Sequence, residues 1–97
     1  MAYAIVLAPE AVEDLKRLSA NLRATLRSAL EAHLRYEPER VSRSRIKRLQ
    51  GVLRPQYRLR VGEVRVFYDV NDMTVEILAI VTKSEASIWL AWFANRE

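Results

Sequence analysis

The sequence predicts an α+β domain: an N-terminal strand, a helical hairpin, then an antiparallel β-meander. Three observations carry that reading. Pro9 and Pro38 bracket a stretch in which apolar residues recur at the helical period of about 3.6 residues. From Tyr57 to Val81 the apolar residues instead alternate, as in strands exposed on one face. Between Val61 and Val64 stands Gly62-Glu63, a two-residue connection with glycine first, the composition of a type II′ hairpin turn.

Taken in order, Tyr3 to Leu7 is a short apolar run suited to a strand, and Pro9-Glu10 opens a helix at the favoured first position. Val12, Leu15 and Leu18 form its predicted buried stripe. Ser19-Ala20-Asn21 interrupts the pattern. With Asn21 as N-cap, a second helix runs from Leu22 to about Tyr36 and ends before Pro38. Leu22, Leu26, Ala29, Leu30 and His33 share one face of it, which makes His33 a packed structural residue rather than a catalyst. Glu39 to Ser44 is a polar basic connection, and Ile46 to Leu49 a loop or short strand. A second hairpin is expected to turn at Asn71-Asp72 and return through Thr74 to Val81. The segment from Ser84 to Phe93 reads as a short helix capped by Ser84.

Residues 1–97 make one domain, for 97 residues rarely hold a second core. With 51% apolar residues and two glycines the chain can bury a core, and with no cysteine it has neither a disulfide framework nor a thiol nucleophile. No stretch approaches the roughly 20 apolar residues of a membrane span, and the N-terminus lacks the basic start of a secretory signal. A cytoplasmic protein is expected, with no membrane partner, no cofactor and no metal.

Charge distribution says more than the net +4. Residues 40–60 carry Arg40, Arg43, Arg45, Lys47, Arg48, Arg54, Arg58 and Arg60 without one acidic residue, while the segments on either side are slightly acidic. If Gly62-Glu63 is the turn, Arg60 opposes Arg65 and Arg58 opposes Phe67, so Arg58, Arg60 and Arg65 project from one face of the sheet. Tyr57, Leu59, Val61, Val64, Val66 and Tyr68 take the other. Like charges directly opposite weaken a strand pair, so Arg60 against Arg65 needs a compensating partner, for which a phosphate or an acidic partner is the natural choice and an internal salt-bridge lattice with Glu76 the alternative. The expected register puts Glu76 opposite Phe67 on the same face, and one carboxylate cannot neutralise three guanidinium groups. Arginine forks suit phosphate oxygens.

Several segments carry a resemblance to a known family: Pro9-Glu10-Ala11 with Asp14-Leu15 and Leu18, Ile46-Lys47-Arg48-Leu49-Gln50-Gly51, and above all Tyr57-Arg58-Leu59-Arg60-Val61-Gly62-Glu63-Val64-Arg65-Val66-Phe67-Tyr68. Over nearly its whole length the chain resembles the RelE/ParE superfamily of bacterial toxins. The resemblance implies two helices on one face of a twisted, mostly antiparallel sheet whose opposite face is concave and basic. For RelE-like members it implies metal-independent cleavage of messenger RNA in the ribosomal decoding site, by attack of a 2′-hydroxyl on its neighbouring phosphate. Arg58, Arg60 and Arg65 then become the catalytic residues, with Arg45, Lys47, Arg48 and Lys83 as RNA contacts. The pattern breaks after the last strand, where Ala86 and Leu90 stand at the positions of an expected arginine and tyrosine. Lys83, Glu85 and Trp89 are the nearby polar or stacking groups.

Two other readings follow from the same fold: a ParE-like inhibitor of DNA gyrase, and a non-catalytic basic binding module. The resemblance also implies a cognate antitoxin besides ribosome and message. Trp89, Trp92 and Phe93 are the expected partner-binding anchors or, equally, caps on the protein's own core. Either a homodimer or a toxin–antitoxin hetero-oligomer is the expected assembly.

Overall fold

The computed structural model describes residues 1–96. Strand β1 (Ala4–Leu7) leads into helices α1 (Pro9–Lys16) and α2 (Ala20–Leu34). The sheet continues with β2 (Ile46–Arg48), β3 (Tyr57–Val61), β4 (Val64–Asn71) and β5 (Thr74–Thr82). A 3-10 turn, Lys83–Glu85, then enters helix α3 (Ala86–Arg96). The five strands lie in the order β1-β5-β4-β3-β2, with β1 parallel to β5 and every other pair antiparallel. This is the α+β architecture read from the sequence.

The helical hairpin covers one face. Ala11, Leu15, Leu26, Leu30 and Leu34 pack on Leu59, Val66, Tyr68, Val75 and Ile77, the alternate residues of three strands. Tyr68 is wholly buried against Tyr57, ring centroids 5.4 Å apart, and its hydroxyl donates to the Pro38 carbonyl at 2.6 Å. Burial holds its phenol well above the ordinary tyrosine value.

Four local expectations change. Ser19, not Asn21, caps α2: its hydroxyl accepts from the Leu22 amide at 3.2 Å, so the helix starts at Ala20 and ends at Leu34. The α1 stripe uses Ala11 rather than Val12, which is 36% exposed. The last helix is preceded by Thr82 rather than capped by Ser84, because the Glu85 carboxylate accepts from the Thr82 amide and hydroxyl at 3.2 and 2.9 Å. The fourth change matters for the site. The second hairpin turns at Asp72-Met73, one residue late, with Asp72 at φ 55° and Asn71 paired to Thr74. A one-residue shift of the turn moves the register by two, so Glu76 faces Asp69 rather than Phe67. The first hairpin is as expected: Gly62 has φ +57° and Glu63 stays in the negative region, as a II′ turn requires.

Candidate functional site

The face of the sheet turned away from α1 and α2 divides along its length. Register puts Lys47, Arg58, Arg60 and Arg65 on that face, with Lys47 opposite Arg58 and Arg60 opposite Arg65. Phe67 sits mid-face. Beyond it come Asp69 and Glu76, directly opposite each other.

Helix α3 crosses this face. Trp89 stacks on Phe67 at 4.8 Å and on Phe93 at 4.9 Å, so two of the three expected partner anchors cover the protein's own sheet. Trp92 is different: it stays 53% exposed and stacks on the Arg96 guanidinium at 4.5 Å. Ile88, 73% exposed, lies near it beside an apolar cleft of about 710 Å³ between α3, β5 and the Leu18–Leu22 corner.

Under the start of α3 is a cavity of about 290 Å³ lined by Arg58, Arg65 and Lys83. Its remaining walls are Leu49, Phe67, Ala86, Ser87 and Leu90. Ala86 and Leu90, the positions where the sequence departs from the RelE-type pattern, therefore line the basic cavity itself. Among the described residues, no carboxylate, histidine or tyrosine lines it.

The three arginines are held differently. Arg65 is 7% exposed and turns its guanidinium into the hairpin, where Nη1 donates to the carbonyls of Gly62 at 2.8 Å and Val64 at 3.1 Å. Those carbonyl dipoles make the directly opposed Arg60 and Arg65 tolerable. Arg60 reaches solvent. Arg58 is half-buried, and its Nε is buried without a hydrogen-bond partner among the described residues. Burial, with Arg65 and Arg60 alongside, pulls its guanidinium below the ordinary arginine value. An orphaned buried donor costs free energy until a ligand satisfies it.

The outer basic residues separate. Lys47 joins the arginine face, whereas Arg48 turns to the core side, 5.1 Å from the Tyr57 ring, and donates to the Gln56 carbonyl at 2.9 Å. Arg45 lies with His33 in a groove on the helix side. Burial, then the nearby Arg45, lowers the His33 pKa, which fits a packed histidine.

The sequence reading missed Arg54, Gln56 and Asp69. Arg54 Nε donates to Asp69 at 2.6 Å and Nη2 to Glu76 at 3.4 Å, and its guanidinium lies 5.7 Å from the Phe93 ring centre. Asp69 also accepts from the Gln56 amide at 2.7 Å, while the Gln56 side chain accepts from Val70 at 2.7 Å. The visible signal was Asp69 itself, a carboxylate in mid-strand that needs a partner. Among the described residues, no three His, Cys, Asp or Glu side chains group as metal ligands, and no helix is long and apolar enough to cross a membrane.

A helical hairpin on one face of a five-stranded sheet, and on the other a patch of arginines that meet no carboxylate among the described residues, form the two-layer arrangement that the resemblance to the RelE/ParE toxins implies. Residues 5–86 match the family described as the ParE toxin of the type II toxin–antitoxin system, parDE. The chain belongs to that family, within the RelE/ParE superfamily, and is a type II toxin. Among solved structures, the RelBE2 toxin–antitoxin complex of Mycobacterium tuberculosis contains a chain 27% identical, with TM-score 0.70, covering 84% of this chain and 99% of that one. The archaeal RelE–RelB complex of Pyrococcus horikoshii gives 30% identity, TM-score 0.62, and coverage of 86% and 97%. A free mutant of the E. coli toxin RelE shares the fold at 20% identity and TM-score 0.71, with 92% of each chain covered. A search of curated proteins returns no match.

Proposed function

We propose that this toxin is an mRNA endoribonuclease that acts on the ribosome and thereby stops translation. The observation that carries the reading is that Arg58, Arg65 and Lys83 line one cavity, with the Arg58 Nε buried and, among the described residues, unpartnered. Cations lining one cavity, with no carboxylate among the described residues of its wall, are the arrangement that a phosphodiester, and the greater negative charge of its phosphorane, would complete. Arg60 and Lys47 extend the same face and would hold neighbouring phosphates. Attack by a 2′-hydroxyl needs no metal, only charge stabilisation and two proton transfers.

A second reading, inhibition of DNA gyrase, is favoured by the family match itself and by Ala86 and Leu90 in the cavity wall, which bring no acid, base or stacking group. Induction of wild type, Arg58→Ala and Arg65→Ala in cells, with mapping of message 5′ ends beside an SOS reporter, separates the two. Cleavage inside codons of translated messages, lost in Arg58→Ala, supports the nuclease. Intact messages with an SOS response support gyrase, and silence in both supports a non-catalytic binding module.

We also propose a cognate antitoxin as partner. Solved structures similar to this chain include toxin–antitoxin complexes, and exposed Ile88 and Trp92 beside the apolar cleft offer such a partner an anchor.

A further inference from the structure

This inference rests on the nuclease reading and asks which group moves the proton at the leaving oxygen. Arg58 and Arg65 can stabilise charge, but a guanidinium gives up its proton too reluctantly to act as an acid. Leu49, Phe67, Ala86 and Leu90 have nothing to give, and the Ser87 hydroxyl is a weak acid. Lys83 is the remaining side chain in the lining, and an ammonium group is both a cation and a transferable proton.

Its position is built rather than incidental. The Lys83 amide donates to the Glu63 carbonyl at 2.7 Å, next to the Gly62 carbonyl that receives the Arg65 guanidinium at 2.8 Å. Consecutive carbonyls of one tight turn thus fix the root of Lys83 and the head of Arg65. On the other side Thr82 is tied to the Glu85 carboxylate, which keeps that acid occupied. Among the described residues Lys83 forms no ion pair.

We propose that Lys83 is the general acid of this site. The 2′-oxygen bonds to phosphorus and yields its proton to bulk water; the bond from phosphorus to the 5′-oxygen breaks, and that oxygen takes the Lys83 Nζ proton. The products are a 2′,3′-cyclic phosphate and a 5′-hydroxyl, and Lys83 regains its proton from solvent.

The test uses programmed ribosomes and two messages, one normal and one carrying sulfur in place of the 5′-bridging oxygen at the linkage that the wild type cuts. Sulfur leaves without needing a proton. Lys83→Arg and Lys83→Ala are expected to cut the oxygen message about 100-fold more slowly and the sulfur message within about threefold of wild type, the pattern of a lost acid. Lys83→Arg is also expected to keep its binding to a 2′-deoxy message. Equal slowing on both messages, or no slowing on oxygen, overturns the assignment. A wild type that cuts neither overturns the nuclease reading, and this one with it.

Discussion

At one end of the sheet's second face Arg54 meets Asp69 and Glu76; at the other, Arg58, Arg60 and Arg65 meet no carboxylate among the described residues. Phe67 and the Trp89 ring stand between them. The same side-chain type thus does two jobs a few strand positions apart. Where a half-buried arginine finds a buried aspartate, it joins a loop to the sheet. Where it finds only other cations, its charge is available to something from outside, and the fold tolerates the repulsion through carbonyls such as those of Gly62 and Val64.

The contrast can be broken at either end. The largest effect is expected from Arg58→Ala: on the nuclease reading, cleavage by programmed ribosomes should fall about 100- to 1,000-fold, while urea unfolding shifts by no more than about 0.5 kcal/mol. Loss of both together would make Arg58 a structural residue like Arg54. Asp69→Ala should do the reverse, lowering unfolding free energy by about 2 to 3 kcal/mol, because the Gln56 amide and the Arg54 guanidinium lose their acceptor. Arg54→Ala should cost less, about 1 to 2 kcal/mol in the same assay, since it leaves Asp69 with the Gln56 amide and its own ion pairs are partly exposed. Arg65→Ala lies between the two classes. It should remove cleavage and also about 1 kcal/mol of stability, for it gives up two bonds to the turn.

The smallest effect is a pH dependence. Hydrogen bonds from Thr82 hold the Glu85 carboxyl below its ordinary value, so the folded state binds that proton less readily than the unfolded chain. The contribution is complete above the ordinary glutamate range, near pH ~4.3, and fades as pH falls below it. Thermal unfolding of Glu85→Gln should therefore lack one part of the acid sensitivity of the wild type.

The chain's own pattern made the arginine face legible because it depends on local facts: strict alternation and a two-residue turn that only glycine opens comfortably. Everything that hangs on the first hairpin followed. The second hairpin failed by a single residue, since Asn71 and Asp72 both suit a turn and Asp72 tolerates positive φ. That slip hid the partner of Glu76, and with it the role of Arg54. Arg48 and Arg45 were illegible for another reason. A charge run in sequence does not say which way each side chain turns, and on β2 the alternation sends Lys47 to one face and Arg48 to the other. Helix α3 could be read as apolar, but not which of its rings would find Phe67.

The first strand cannot find its neighbour until the fifth has been made. β1 is an edge strand in parallel register with β5, Ala4 beside Thr74 and Leu7 beside Ile77, and parallel pairing between distant segments is slow because the intervening chain must first be ordered. During synthesis, then, β1 lacks its sheet partner until residues 74–77 of β5 have been made. Lys83 and the wall formed by α3 come later still, so the cavity cannot be complete before Leu90 has been made. Assembly order alone therefore places the closing of this cavity after the pairing of the sheet.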